Sequence, residues 1–255
     1  MNLLHIENCI TDFIRNEVTT SNSQGVVLGL SGGIDSSVAL YLATKALGNN
    51  KVSGLILPDK KVSRQSDIDD AIELSQKVAI NYHVIDITEI KQKYMDILPL
   101  EKISIGNLTA RIRMNFIYYY ANIEHKLVLG TSDKSELMIG YFTKFGDGAA
   151  DILPLADIYK TEVRELAKYL NLPKKILLKK SSPSLWKDQT AEDEIGMEYE
   201  KIDTILKNLA ENISDNTNNK YLLKKGIDKN DILFIKHLLS KNKHKITLPK
   251  TCMIS

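Results

Sequence analysis

The sequence predicts an α/β fold, namely a doubly wound and mostly parallel sheet with helices on both faces. Two observations lead to this prediction. Short apolar segments of strand length alternate with segments whose apolar residues recur at helical spacing, which is typical of parallel strands joined by crossover helices. The chain has 255 residues, of which 43% are apolar and 26% charged, so it can bury one large core. We therefore expect a single domain over residues 1–255, with a helical extension at its carboxyl end.

The predicted elements follow one another in a regular order. A helix comes first, because Leu3, Ile10, Ile14 and Val18 recur at helical spacing, and a polar break at residues 19–25 precedes the first strand. The same patterns assign the later segments. Strands are predicted at residues 25–28, 52–58, 81–87 and 126–130, and helices at residues 38–43, 67–79, 111–121, 134–139 and 161–170.

The pattern changes after Gly146, where no further clear strand follows and the last third of the chain is helical and rich in loops. Residues 187–194 are polar and acidic, and residues 212–220 are rich in asparagine. Both suit surface segments, and the first is a candidate lid that becomes ordered when a ligand binds.

The amino-acid composition argues against several classes of protein function. The net charge is +2 and charges of both signs are interspersed, so we expect neither nucleic acid nor an anionic membrane as a partner. Cys9 and Cys252 are the only cysteines, which argues against a structural zinc site and a disulfide framework. The amino-terminal segment lacks a secretory pattern, and no apolar run approaches the ~20 residues of a membrane span. We expect a soluble, cytoplasmic protein.

A loop rich in glycine and serine, residues 28–37, joins the first strand to the next helix. Backbone N–H groups in such a loop, together with the helix dipole, suit a phosphate group. The motif ending in Gly-Lys-Ser/Thr is absent, since Ile34 and Asp35 follow Gly33, and the two-glycine dinucleotide fingerprint is not matched either. Asp35 offers a hard oxygen ligand for Mg²⁺ beside a polyphosphate. An ordinary strand-to-helix turn with a capping side chain stays open as the alternative.

Residues 31–36, Ser-Gly-Gly-Ile-Asp-Ser, resemble the pyrophosphate loop of the N-type ATP pyrophosphatases, which cleave ATP to AMP and pyrophosphate. Further blocks resemble the ammonia-dependent NAD synthetases within that superfamily, in the same order along the chain. They are residues 106–114, 130–136, 140–151, 153–155 together with Lys160, and 189–196. The resemblance covers roughly residues 5–205 well, and residues 243–245 resemble part of the family's closing lid.

This resemblance implies a fold like that of the adenine nucleotide alpha hydrolases, with ATP as co-substrate and Mg²⁺ as cofactor. It implies that ammonia amidates nicotinic acid adenine dinucleotide (deamido-NAD), giving NAD, AMP and pyrophosphate through an NAD-adenylate. It also implies a homodimer with substrate sites at the interface. The chain begins only about thirty residues before the loop, which leaves no room there for a glutaminase domain of about 100 to 200 residues, so we expect the donor to be free ammonia or ammonia from a separate partner.

The resemblance assigns roles residue by residue. Catalytic roles fall to Asp35, Glu136 and Lys160, of which Asp35 and Glu136 are the metal ligands. ATP binding is assigned to Gly29, Leu30, Ser31, Gly32, Gly33, Ile34, Asp35, Ser36, Thr131, Lys160 and Ser182. Binding of the deamidated dinucleotide is assigned to Arg111, Tyr141, Lys144, Asp147, Asp151, His244 and Lys245. The chain departs from the family pattern at Pro183, Ser184 and Ile246.

Several of these residues also have an alternative explanation that is purely structural. Glu136 would otherwise be a solvated helix residue, Thr131 a helix cap and Lys160 a surface charge. An aromatic pair such as Tyr141 and Phe142 is more often core than a stacking platform for the pyridine ring. Asp147 lies in a Gly-Asp-Gly turn, where its side chain can simply satisfy the local backbone.

Two rival functions remain. A tRNA-modifying enzyme of the same superfamily would need a basic RNA-binding surface or a catalytic cysteine pair, and both cysteines lie outside every motif. A non-catalytic module that binds adenine nucleotides would need neither Glu136 and Lys160 nor the block that contains Lys144 and Asp151.

Overall fold

The structure is a computed structural model that describes residues 2–210, 222, 226–247 and 251–252. Its sheet has four parallel strands in the order β3-β2-β1-β4. They are β1 (Val26–Gly29), β2 (Val52–Ile56), β3 (Asn81–Val84) and β4 (Leu127–Val128). The strand order reverses direction between β1 and β4, which places the topological switch point, where open α/β sheets bind ligands, at the carboxyl end of β1.

Up to residue 170, the helices occur where the apolar spacing predicts them, with one addition, and the later helices lie in the last third of the chain, which was predicted to be helical without individual bounds. They are α1 (Leu3–Thr20), α2 (Ile34–Leu47), α3 (Gln65–Lys77), α4 (Thr88–Met95), α5 (Lys102–Glu124), α6 (Lys134–Ile139), α7 (Lys160–Tyr169), α8 (Lys174–Leu177), α9 (Ala191–Ile195), α10 (Tyr199–Ala210) and α11 (Lys229–Asn242). The addition is α4, for which no helix was expected. Helix α5 starts earlier than predicted, because the Glu101 carboxylate accepts hydrogen bonds from the N–H groups of Ile103 and Ser104 and caps it.

The strands β1 and β2 are buried on both faces, as the sequence predicts, whereas β3 is largely exposed. Side chains alternate along β1, so Val26 and Leu28 enter the core formed with α1, α2 and α7, whereas Val27 packs on the opposite face with α5. A third apolar cluster, which includes Tyr199, Ile202 and Ile235, joins α10 and α11 to α6. It fixes the position of the site residues that precede α6 and α7.

The length of the fourth strand and the segment at residues 187–194 differ from the sequence predictions. The fourth strand is shorter than residues 126–130, although Leu129 continues it through a parallel bridge to Ile152. Residues 187–194 are only partly a surface segment, because Gln189 and Ala191 are buried and α9 begins at Ala191. The asparagine-rich residues 212–220 lie outside the described residues. No helix in the described part of the chain is both long and apolar enough to span a membrane.

Substitution of Leu40 by Ala is expected to lower the free energy of unfolding by about 2–5 kcal/mol, because its fully buried side chain on α2 would leave a cavity in the main core. Urea denaturation measures this change. The matched control is Leu4→Ala on α1, where the side chain is 55% exposed and little change is expected. Equal effects of the two substitutions would contradict the packing described here.

Candidate active site

A cavity of about 230 Å³ opens at the carboxyl ends of β1 and β4. One wall comes from the glycine-serine loop and the start of α2, and a second from the segment between β4 and α6. A third wall is residues 181–185. Side chains of α5 complete the lining of the cavity. The lining includes Gly29, Leu30, Ser31, Asp35, Ser36, Arg113, Gly130, Thr131, Ser132, Glu136, Tyr141, Asp147, Ser182 and Leu185.

The loop before α2 has a backbone that only glycine permits at one position. Gly32 has φ +73°, and a Cβ there would lie 2.1 Å from the carbonyl oxygen of Asp67. Gly33 is the N-cap residue of α2, and no side chain caps the first turn of that helix. The first N–H groups of this helix of 14 residues therefore remain available for an anion, as the sequence predicts for a phosphate site.

A single buried ammonium group joins three carboxylates below this cavity. Lys160 Nζ lies 2.8 Å from Asp35 Oδ2, 2.7 Å from Asp133 Oδ2 and 2.8 Å from Glu136 Oε1. The lysine side chain has no solvent exposure, and the Tyr199 ring lies beneath it with its centroid 5.2 Å from Nζ. We call these four charged residues the Lys160 cluster.

The backbone of the Lys160 cluster is fixed by two caps. The Asp133 carboxylate caps α6 by accepting from the Glu136 N–H at 2.9 Å. The Lys160 N–H donates to Ser135 Oγ at 2.9 Å, and the Ser135 hydroxyl donates in turn to Asp203 of α10. The third apolar cluster therefore holds the lysine in register with the carboxylates.

Burial and charge set the protonation of these groups. Burial raises the pKa of Asp133 to about 6 and, together with the neighbouring carboxylates, the pKa of Glu136 well above its usual value. Burial alone lowers the pKa of Lys160, but the carboxylates of Asp133, Asp35 and Glu136 outweigh it and raise that pKa well above its usual value. The lysine therefore stays charged, and the cluster carries an excess of two negative charges when all three carboxylates are ionised.

The carboxylates fit a divalent cation that is shared with phosphate. Asp35 Oδ1 is buried and has no hydrogen-bond partner among the described residues, although Asp35 lines the cavity beside Glu136. In the described part of the chain, no three His, Cys, Asp or Glu side chains are grouped so that they could hold a metal ion by themselves. Mg²⁺ commonly takes one or two carboxylates and completes its shell with water and phosphate oxygens, which matches this donor set.

The other residues assigned to ATP divide into two groups. Thr131 and Ser182 line the cavity, and Ser182 Oγ accepts from the Ser184 N–H at 3.1 Å. Lys160 lies below the wall, and the Ile34 side chain belongs to the main core. The Leu30 N–H donates to Leu55 of β2 at 2.8 Å and so is not available to a ligand.

Most residues assigned to the dinucleotide meet around the segment of residues 140–147, which contributes Tyr141 and Asp147 to the cavity lining, and we call this group of residues the rim. Arg111 donates through Nε and Nη2 to the Lys144 carbonyl oxygen at 3.3 and 3.2 Å, and Lys144 Nζ donates to the His244 carbonyl oxygen at 2.7 Å. Lys245 Nζ donates to the carbonyl oxygens of Gly140 and Phe142 at 2.7 and 2.9 Å. The residues of the sequence-predicted lid therefore contact the segment that follows α6.

Tyr141 and Asp147 line the cavity below this rim. Burial raises the pKa of both groups, Tyr141 donates to Glu194 at 2.7 Å, and the Asp147 carboxylate accepts from the Thr143 N–H at 2.9 Å. Asp151 is apart from this group, because its carboxylate accepts from the Val128 N–H of β4 at 2.7 Å. Phe142 is buried beneath Lys245, in line with the core interpretation.

Two site residues were missed by sequence reasoning. Asp133 lies in the cluster, and its signal was the capping-box pattern of an Asp followed three residues later by Glu136. Arg113 lines the cavity and donates to the carbonyl oxygens of Leu57, Pro183 and Ser184. Its signal in the sequence was its place in the block of residues 106–114, two positions after Arg111.

This combination of a doubly wound sheet, a glycine loop at a helix start and acidic residues at the switch point defines a nucleotide-binding α/β protein. The model of the NAD synthase family matches residues 6–249. The chain belongs to the NAD synthase family, and it is an enzyme of the ligase class.

Individual relatives agree with this assignment. The NH(3)-dependent NAD(+) synthetase of Methanocaldococcus jannaschii is 46% identical, over 96% of this chain and 95% of the relative. The NH3-dependent NAD synthetase of Campylobacter jejuni, solved with nitrate, has a TM-score of 0.83 at 35% identity, over 99% of this chain and all of that chain. The NMN synthetase of Francisella tularensis has a TM-score of 0.86 at 34% identity, over 99% of both chains. The predicted fold is confirmed.

Replacing Lys160 by Met is expected to lower the free energy of unfolding by about 3–5 kcal/mol, because three carboxylates would lose the charge that compensates them. Adding Asp133→Asn to that variant should recover part of the loss by removing one negative charge. Urea denaturation at pH 7 measures both. If the double variant were as unstable as the sum of the single ones, the charges would not be coupled.

Proposed function

We propose that the protein condenses deamido-NAD with ammonia, using ATP, to give NAD, AMP and pyrophosphate through an NAD-adenylate. The observation that carries this proposal is the position of Asp35 and Glu136, which lie at the cavity base beside the uncapped start of α2. The names of the relatives support the same activity.

The reaction has two steps in this proposal. A nicotinate carboxylate oxygen attacks the α-phosphorus of ATP, the bond from that phosphorus to the bridging oxygen breaks, and pyrophosphate leaves. Ammonia then attacks the carbonyl carbon of the adenylate, AMP leaves with its oxygen, and a proton is released. The first step joins two anions, so positioning and charge neutralisation account for most of its catalysis, and no nucleophilic side chain is needed.

Residues of this chain supply much of that environment. The loop and the first N–H groups of α2 would bind the phosphates, and Asp35 with Glu136 would hold Mg²⁺. When bound, Mg²⁺ offsets phosphate charge and polarises phosphoryl oxygens. A direct contact of Lys160 with ATP stays a prediction. Its ammonium group orients both metal-ligand carboxylates, and this is the role that its contacts support.

The rim would bind the second substrate. Arg111, Lys144 and Lys245 place three cationic side chains around residues 140–144, which suits a substrate with a pyrophosphate and a free carboxylate. Tyr141 and Glu136 both line the cavity, and in this proposal the Tyr141 ring contacts the pyridine.

The assay that tests the proposal supplies ATP, Mg²⁺, ammonium and deamido-NAD and follows products by chromatography. NAD and AMP in equal amounts are expected, with activity lost in EDTA and restored by Mg²⁺. Deamido-NMN in place of deamido-NAD tests the second candidate function, which the likeness to an NMN synthetase favours. Glutamine in place of ammonium tests the donor. ATP that stays intact, or yields only ADP, would overturn the proposal.

We also infer a homodimer. Large apolar side chains are exposed on α4, on the loop after it and on α5, which packs against α4. They include Ile90, Tyr94, Ile97, Leu98, Leu100, Ile103, Tyr119 and Ile123. Beside them, β3 is an edge strand of the sheet. Large exposed apolar side chains on neighbouring elements typically mark a protein interface, and a second copy of this chain is the partner that the family resemblance implies.

Asp35→Asn is expected to lower kcat at least about a hundredfold, because a metal ligand is lost and a neutral amide replaces a charged donor. The free energy of unfolding should change little, since Asp133 and Glu136 still compensate the charge of Lys160 when Asp35 is neutralised. Steady-state kinetics with a parallel urea titration separates the two effects. An active variant, or an unfolded one, would contradict this role.

The double substitution of Ile97 and Leu100 by Glu is expected to convert the dimer to monomer, because these side chains are 80% and 70% exposed on the apolar surface and charge there opposes its burial. Sedimentation equilibrium measures the mass. Leu4→Glu, at an exposed position on α1, serves as the control and should leave the dimer intact. A wild-type protein that sediments as a monomer would refute the inference.

A further inference from the structure

The ammonium group of Lys179 ties the glycine loop to α3 from outside the cavity. Lys179 Nζ donates to the carbonyl oxygen of Gly32 at 2.9 Å. It also lies 2.8 Å from Asp67 Oδ1 and 2.7 Å from Asp70 Oδ2, both on α3. The side chain is 15% exposed and is not part of the cavity wall. Two carboxylates already balance its charge, and a remaining N–H of the ammonium group donates to the loop.

Gly32 sits directly on the first turns of α3. The close approach of its Cα to the Asp67 backbone excludes any side chain, and the positive φ turns the chain sharply at this point. The loop therefore has a fixed support, and the carbonyl group of Gly32 is directed at Lys179 rather than at the cavity.

The direction of that carbonyl determines the direction of a neighbouring donor. The Gly32 carbonyl and the Gly33 N–H belong to one planar peptide unit and point to opposite sides of it. The Gly33 N–H donates to Ser31 Oγ at 3.2 Å, and Ser31 lines the cavity. With the carbonyl bound on the outside, this N–H is directed inward, where it holds the Ser31 hydroxyl group at the cavity wall.

We propose that Lys179 is a positioning residue for the phosphates of ATP, acting by fixing the peptide unit between Gly32 and Gly33. A backbone already held in its binding orientation loses no conformational freedom when the anion binds. Residues 181–185, which form another wall of the cavity, begin two positions after Lys179. One ammonium group thus sets the spacing between the loop and that wall. The proposal rests on the proposed function, because it takes the loop to bind polyphosphate.

The test is Lys179→Met, which keeps an unbranched apolar stem and removes the ammonium group. The probes are inorganic pyrophosphate and ATP, each with Mg²⁺, titrated by calorimetry into the full-length protein. We expect the Kd of both probes to rise about tenfold, the effect of losing one charge-assisted hydrogen bond. In turnover, KM for ATP should rise similarly, with kcat and KM for deamido-NAD nearly unchanged. Lys179→Arg should restore most of the affinity.

The matched control is Lys175→Met. Lys175 contacts the same Asp70 at 2.5 Å, and Glu73 at 2.6 Å, but it makes no contact with the loop. Its loss should leave both Kd values unchanged. If Lys179→Met does not fold, Lys179→Gln carries the same expectation.

Three outcomes would overturn the inference. Lys179→Met could bind both probes as the wild type does, in which case the loop needs no such support. Lys175→Met could weaken binding equally, in which case the effect belongs to the acidic residues of α3. A wild-type protein that binds neither probe would overturn the proposed function as well, which the first two outcomes would leave standing.

Discussion

The arrangement of this active site depends on one buried ion cluster. Lys160 could not be buried alone, because a charge removed from water needs partners, and Asp35, Asp133 and Glu136 supply them from two other elements. The same contacts prevent three carboxylates from repelling one another at the end of the sheet. The cluster therefore fixes the start of α2, the start of α6 and the start of α7 relative to one another. Each of these starts carries residues of the cavity or of its immediate support.

The sheet topology explains why these elements meet. Because β1 lies between β2 and β4, the helix after β1 and the segment after β4 diverge from the switch point and leave a crevice between them. The glycine-serine loop that precedes the helix after β1, and the short capped helix in the segment after β4, can then present their polar groups to the same crevice. The third apolar cluster closes the arrangement, since Asp203 on α10 accepts hydrogen bonds from Ser135 and from the Thr161 N–H at 2.8 Å. The carboxyl-terminal helices are thus part of what holds the Lys160 cluster.

Periodicity was enough to predict the parallel sheet and most helices, because their apolar faces alternate clearly. Helix α4 escaped prediction for a physical reason. Its buried side chain is Lys91, paired with Asp59 at 2.7 Å, while Ile90 and Tyr94 are exposed, so it has no apolar stripe facing the core. The glycine loop and Glu136 could be located from motifs. The burial of Lys160 could not, since its partners come from segments far apart in the chain and their convergence is a property of the fold. The same holds for Lys179 and Gly32, which are 147 positions apart.

The charges along the cavity have an order that suits two anionic substrates. At the base, the Lys160 cluster has an excess of negative charge, which favours a divalent cation and, through it, phosphate. At the rim, Arg111, Lys144 and Lys245 are cationic and their hydrogen bonds in this structure go to neutral carbonyl oxygens, so no carboxylate cancels their charge in those contacts. A substrate with its own pyrophosphate would be attracted to the rim, whereas ATP with its metal would be attracted to the base. In the proposed reaction this separation sets the direction of approach, because the nicotinate carboxylate must then reach the α-phosphorus from the rim side while pyrophosphate leaves on the side of the loop.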